Sequence, residues 1–245
     1  MKQTHRGFRV IDDRGLDWGH AALKLFSRAK RLGIWNPEDM DFRRDREDFS
    51  RLEEPEREGI MHLLALFGAG EESVVSNLVP LLHVAGEEGR LEDELFLAAF
   101  LWEEAKHVEA FRRFADGVGI HGDLHEYHGE NYRYLFYEAL PQSMSRLYND
   151  HSPEALAEGL VTYNLVIEGV LAETGYRAWY DMLKEHGIMP GMVETVGLIQ
   201  RDEARHIAFA VYSLSRLAAE HGSPVWEAVQ ERLGQLLPSA VGVVT

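Results

Sequence analysis

Two short runs in this 245-residue chain repeat the same chemistry. WEEAKH contains Glu104 and His107, and RDEARH contains Glu203 and His206. Residues at i and i+3 share one helical face, so each run presents a carboxylate beside an imidazole. Both groups suit iron or manganese. Each run sits inside an otherwise apolar stretch. An unpaired carboxylate buried there costs far more than a helix gains from it, so a cation is the expected partner. One such pair alone reads equally well as a solvated surface pair. Two more glutamates lie among small or apolar neighbours: Glu71 in FGAGEESVVSNLV and Glu168 in YNLVIEGVLAE. Glu72 adjoins Glu71, so the pattern does not decide which of them faces inward.

The order along the chain is Glu, Glu-x-x-His, Glu, Glu-x-x-His. One Glu from each of two helices and a Glu-x-x-His from each of two others make up the dinuclear carboxylate pattern of helix bundles. Four carboxylates offset two divalent ions, and they leave room for an oxide or hydroxide bridge after oxidation. The chain has no cysteine, so oxygen and nitrogen must hold any metal. Zinc has no redox role and more often takes four ligands. Magnesium prefers oxygen and keeps its waters. Iron and manganese are left.

These residues need four long helices to position them. Apolar periodicity predicts helices over 17–32, from Arg57 to about His83, over 88–116, over 131–148 with a kink or break at Pro141, from Ser152-Pro153 to Gly187, and from about Met192 to His221. A loop and a short helical segment fill WNPEDMDFRRDREDFSRL. A last short helix is expected over 224–237, followed by an apolar, weakly specified tail. Residues 1–15 read as a polar arm. Alternating β-branched runs are scarce, so the fold class is all-α, in a single domain spanning 1–245.

Composition narrows the partners. Asp and Glu number 41 against 25 Lys and Arg, a formal charge of −16 that repels a phosphate backbone and argues against nucleic acid. Nothing approaches 18 uninterrupted apolar residues, so no membrane span is expected. The opening MKQTHRGFRVIDDRG lacks a signal-peptide core, and a cytoplasmic location is the expectation.

Over roughly residues 15–220 the chain resembles the ferritin-like superfamily in its ribonucleotide reductase small-subunit branch. Within that branch it most resembles the R2-like ligand-binding oxidases. The resemblance implies a four-helix bundle core with peripheral helices and the metal ligands Glu71, Glu104, His107, Glu168, Glu203 and His206. It implies manganese beside Glu71, Glu104 and His107, and iron beside Glu168, Glu203 and His206, with Glu104 and Glu203 able to interact across the pair. Di-iron is the alternative. It further implies oxygen activation for two-electron C–H oxidation, an internal ether bond from the Val74 β-carbon to the Tyr163 oxygen, a long-chain fatty acid at the metals, a homodimer and an unidentified electron donor. Asp202 resembles the aspartate that orients His107, and Trp35 in WNP resembles a tryptophan that carries electrons. The small and apolar Gly68, Ala69, Val166 and Val170 are candidates to line a ligand tunnel.

Two other readings remain open from the sequence. A reductase-like radical generator would share these ligands, but its usual radical tyrosine falls at Phe111. A ferritin-like storage protein would bind metal without an organic substrate. Blander readings apply elsewhere. His121, His125 and His128 fall in a loop expected to be solvated. RRDRED at 43–48 reads as an exposed, salt-bridged segment. Trp102, Trp179 and Tyr180 read as core or interface anchors, and Gly117 and Gly119 as helix stops.

Overall fold

The computed structural model describes residues 15–245, and the polar arm expected over 1–15 lies almost entirely outside them. All regular elements among the described residues are helical. They are α1 (Ala21–Leu32), α2 (Arg43–Arg51), α3 (Glu54–Glu88), α4 (Leu91–Val118), α5 (130–146), α6 (Pro153–Lys184), α7 (Pro190–His221) and α8 (Ser223–Val244). A single 3-10 turn, Pro37–Asp39, precedes α2, and another, His125–Tyr127, precedes α5. The long helices α3, α4, α6 and α7 form the bundle core, and the others pack around it.

Local chemistry sets the ends. At the start of α3 the Glu53 amide donates to Glu56 at 2.9 Å, a reciprocal N-terminal contact. Gly89, with φ +66°, ends α3 in the left-handed region, and α4 begins two residues later, so the two helices must run antiparallel. Ser152 caps α6, its hydroxyl accepting from the Ala155 amide at 3.3 Å. Gly119, with φ +84°, closes α4. Gly117, expected as a stop, lies inside the helix. A β-carbon there would come within 2.8 Å of the Phe42 β-carbon, so close approach is what demands glycine.

The segment 43–48 corrects the sequence reading. It lies in the short helix expected there, with Arg43, Arg44 and Arg46 exposed, but Asp45 and Asp48 are buried. Asp45 accepts from the Gly191 and Met192 amides at 2.9 and 2.7 Å, and Asp48 accepts from the Met189 amide at 2.9 Å. These are the orphan donors at the start of α7, where negative charge also suits the helix dipole. Asp45→Ala is expected to cost about 2–3 kcal/mol by leaving two buried amides unpaired. Urea unfolding of the metal-free chain measures this, and a loss under about 0.5 kcal/mol, the scale of an ordinary surface change, would contradict the capping role.

The last element also differs from expectation. The final helix does not stop near 237 but continues through Pro238 to Val244, with Leu236 and Ala240 buried on either side of the proline. By length and composition α6 could cross a membrane, but 72% of its most apolar window is packed inside the bundle, as in a core helix. Widened π turns cover Val161–Ala172 and Tyr180–Lys184 of α6 and Tyr134–Ala139 of α5.

The core falls into two apolar clusters, and the candidate ligands lie between them. Along α4, Phe96 and Phe100 belong to one cluster and Phe111 and Phe114 to the other. Along α7, Phe209 belongs to the first and Ile199 to the second. Glu104, His107, Glu203 and His206 therefore continue the inward stripe of their helices at the point where apolar residues give way to carboxylates and imidazoles.

Candidate metal centre

All six candidate ligands are buried. They form two overlapping groups whose ligand atoms lie within 4.8 Å of one another: Glu71, Glu104, His107 and Glu203, then Glu104, Glu168, Glu203 and His206. Glu104 and Glu203 belong to both. Helices α3, α4, α6 and α7 each contribute, as the spacing required. The doubt between Glu71 and Glu72 is resolved by position. Glu71 faces the cluster, while Glu72 is exposed and accepts from Arg112 at 2.8 Å.

Five of these side chains hold a buried polar atom with no hydrogen-bond partner: Oε1 of Glu104 and Glu168, Oε2 of Glu203, and Nδ1 of His107 and His206. Native proteins rarely leave such atoms unpaired. Here they converge on one another. Oxygen and imidazole nitrogen atoms converging without protein partners are the donor set that two transition-metal ions require.

Each histidine is fixed from behind. His107 Nε2 meets Asp202 Oδ2 at 3.4 Å, and His206 Nε2 meets Glu103 Oε2 at 3.0 Å. A proton on Nε2 leaves the Nδ1 lone pair free for metal. The bracing is crossed, because Asp202 on α7 holds the histidine of α4 and Glu103 on α4 holds that of α7. Arg205 donates to Glu103 Oε1 and to Asp202 Oδ1, both at 2.5 Å, and ties the braces together. Lys106 donates to Asp202 Oδ2 at 3.1 Å and to the Gly33 carbonyl at 2.6 Å. Asn164 donates to Glu168 at 2.7 Å.

Asp202 and Trp35 were singled out in the sequence, and they are joined, Trp35 Nε1 donating to Asp202 Oδ2 at 2.8 Å. Glu103, Lys106, Arg205 and Asn164 were missed. The signal was there as a repeated acid-Glu-Ala-base-His string, EEAKH and DEARH.

Without a cation the carboxylates crowd one another. Burial, reinforced by the Glu203 charge, pushes Glu104 up to about 8. Burial and Glu203 likewise hold Glu168 well above its usual range. Burial opposes ionisation of Glu203 too, but His206 and His107 outweigh it and bring Glu203 down to about 2. Burial disfavours the charged form of both histidines, yet their carboxylate partners raise both well above the ordinary imidazole value. Metal ions would therefore displace protons from Glu104, Glu168 and the histidines. Affinity is expected to fall as pH falls, with proton release near neutrality. Calorimetry in buffers of differing ionisation enthalpy measures the release, and binding with no proton release near pH 7 would contradict this charge arrangement. The same shift carries a stability signature. The folded value of Glu104, about 8, exceeds its ordinary 4.5, so the metal-free chain should lose stability as pH rises between them.

An apolar cavity of about 220 Å³ adjoins the cluster and is walled by Glu71, Glu104, Glu168 and Glu203 at its polar end. Elsewhere it is lined by Phe67, Phe136, Ile167, Leu171 and, from the end of α8, Val243 and Val244. Val74 also lines it. The expected liners are not those found. Gly68 and Ala69 line a different cavity beside the 119–128 loop, and Val166 is sealed in the core. The Tyr163 hydroxyl donates to the Val74 carbonyl at 3.2 Å, so the phenol lies directly against that residue.

Other positions separate cleanly. Phe111 is buried and stacks on Phe67 with centroids 5.2 Å apart. Trp179 is core, Tyr180 is half-buried, and Trp102 is 49% exposed rather than core. His121 and His125 are exposed, as a solvated loop predicts. His128 is not solvated, since its ring nitrogens lie 3.1 Å from the Ala65 carbonyl and 3.0 Å from the Tyr137 hydroxyl.

An all-α bundle that turns four glutamates and two histidines inward at mid-length defines a ferritin-like dinuclear carboxylate protein. The family model for the ribonucleotide reductase small chain matches residues 22–243. Solved structures narrow the class. One is a valine-to-leucine variant of R2-like ligand-binding oxidase with anaerobically reconstituted Mn/Fe cofactor, 40% identical with a TM-score of 0.94, covering 98% of this chain and 88% of that one. A glycine-to-phenylalanine variant with the same reconstitution is 41% identical with a TM-score of 0.94, covering 98% and 90%. The oxidase with aerobically reconstituted Mn/Fe cofactor after a long soak is 41% identical with a TM-score of 0.94, covering 98% and 83%. The chain belongs to the R2-like ligand-binding oxidases, and it is an oxygen-dependent oxidoreductase.

Proposed function

We propose that this chain is a dinuclear oxidase that binds one manganese and one iron ion and couples oxygen reduction to two-electron C–H oxidation. The carrying observation is the set of five unpartnered ligand atoms converging in a buried site beside an apolar cavity. Glu71, Glu104 and His107 would hold one ion, and Glu168, Glu203 and His206 the other. Glu104 and Glu203 would reach both, since each lies within both groups. The similar structures carrying a reconstituted Mn/Fe cofactor support this metal pair. When bound, the ions supply the redox chemistry that reduces oxygen.

The protein's own residues do the rest. The two apolar clusters exclude water. Asp202 and Glu103 hold the imidazoles in the tautomer that binds metal. The wall of aliphatic and aromatic side chains receives a hydrophobic ligand, and a long-chain fatty acid fits the polarity of the cavity, with its carboxylate toward the ions. Val74, on that wall, is the internal target. The new bond from its β-carbon to the Tyr163 oxygen replaces one C–H and one O–H bond, and two electrons and two protons pass to oxygen. An external hydrocarbon is the target of further turnovers, which need an electron donor. A homodimer belongs to this reading by family resemblance.

Loading with manganese and ferrous iron without oxygen tests the reading. One ion of each per chain, and oxygen consumption on later exposure, are expected. Uptake of many ions per chain with cage assembly would sink the oxidase in favour of storage. Mass spectrometry of organic extracts from the purified protein is expected to find a long-chain carboxylic acid.

A further inference from the structure

An oxidant able to attack an aliphatic C–H bond can also oxidise an indole, and indole is by far the easier target. Trp35 lies beside the metal centre. Its ring stacks on His107 with centroids 6.2 Å apart and an interplanar angle of 13°. Its Nε1 proton already points at a base, Asp202 Oδ2, 2.8 Å away. Loss of one electron from the ring would give a radical cation, and that carboxylate oxygen would accept its proton. Left alone, this arrangement invites the indole to be oxidised in place of Val74.

Lys106 opposes loss of that electron. Its Nζ lies 4.3 Å from the Trp35 ring centroid and 4.5 Å from that of Trp102. It is buried and bonded to the Gly33 carbonyl at 2.6 Å. It also donates, at 3.1 Å, to Asp202 Oδ2, the same oxygen that faces the indole proton. A fixed cation over a ring disfavours a second positive charge on that ring, the more so away from water.

We propose that Lys106 is a positioning residue that guards Trp35 against one-electron oxidation, so that oxidising equivalents formed at the metal centre are spent on the C–H bond facing the cavity. This rests on the oxidase reading for its purpose, but the guard itself is a property of the protein without metal. Charge is the essential element, so arginine should substitute for it and neutral residues should not.

The test uses the full chain and the variants Lys106→Met, Lys106→Gln and Lys106→Arg. In the first arm, metal-free protein is oxidised by a photoexcited ruthenium polypyridyl complex with persulfate as the electron acceptor. Tandem mass spectrometry then counts hydroxylated tryptophan at Trp35 and Trp102. The exposed Trp18 and Trp226 serve as internal references. Oxidation at Trp35 relative to these references should rise roughly tenfold in the methionine and glutamine variants and stay at the parent value in the arginine variant. In the second arm, protein loaded with manganese and ferrous iron meets oxygen. The neutral variants should gain oxidised Trp35 and lose Val74–Tyr163 linkage in proportion. Unchanged Trp35 oxidation in the neutral variants of the first arm would overturn the guard, as would an arginine variant that behaves like methionine. Failure of the oxidase reading looks different: no linkage would form even in the parent chain, while the first arm would still separate charged from neutral variants.

Discussion

Glu104→Gln is expected to abolish binding of two metal ions per chain while making the metal-free protein more stable. Glu104 belongs to both ligand groups, with Oε1 2.9 Å from His206 Nδ1 and Oε2 3.8 Å from His107 Nδ1. An amide keeps the shape of the side chain but cannot supply an anionic oxygen donor to either group. Both groups lose a ligand and one unit of negative charge, so a change confined to one ion is not the expected result. In the metal-free chain the same charge is a burden. Burial and Glu203 push Glu104 up to about 8, so at neutral pH the folded state must carry a proton that the unfolded chain releases. Removing that requirement should stabilise the metal-free protein by about 3 kcal/mol near pH 7. Metal analysis and thermal unfolding of the metal-free protein read the two effects. Two ions still bound, or a metal-free protein made less stable, would show that Glu104 is not a shared ligand in a site built for cations.

Tyr163→Phe is expected to eliminate the internal linkage completely and leave metal loading intact. The change removes one oxygen atom. That atom donates to the Val74 carbonyl at 3.2 Å, so its loss should cost about 1 kcal/mol of stability. Tyr163 is also buried beside Phe100, with ring centroids 5.9 Å apart and nearly perpendicular, and phenylalanine preserves that packing. Tyr132, another phenol on the cavity wall, donates its hydroxyl to the Leu66 carbonyl at 2.7 Å, so it offers no ready second route to an ether. Metal content measured before oxygen exposure should match that of the parent chain. A variant that still lost two hydrogens at Val74 would place the bond partner elsewhere.

The candidate ligands were legible because each occupies the inward stripe of an apolar helix, where a charged residue is conspicuous. Glu104 with His107, and Glu203 with His206, needed only helical spacing. Glu71 and Glu72 differ by one position on the same helix, and only packing against α4 decides between them. The residues that brace the two histidines were harder to see. Glu103, Lys106 and Arg205 look like ordinary surface charges, since charged neighbours of charged residues are common. Their burial depends on two helices about 100 residues apart in sequence, Arg205 meeting Glu103 across a separation of 102. Asp45 illustrates the same limit, capping an amide 146 residues away.

The cavity wall went astray for a different reason. Val166 and Val170 fall within the widened turn of Val161–Ala172, where bonding from i to i+5 rotates successive side chains away from ideal helical phase. Ile167 and Leu171, one position on in each case, take the cavity face instead. On α3, which is regular α-helix, Gly70 and Val74 line the cavity together with Glu71, while Gly68 and Ala69 line the other one. The end of α8 was unreadable because Pro238 looks like a stop, whereas the packed residues around it carry the helix onward to the cavity.

The most direct test of the oxidase account compares intact mass and tandem mass spectra of protein loaded with manganese and ferrous iron before and after exposure to oxygen. The account predicts a loss of two hydrogens, mapped to a link between Val74 and Tyr163. Two bound ions with unchanged mass and no linked peptide would contradict it.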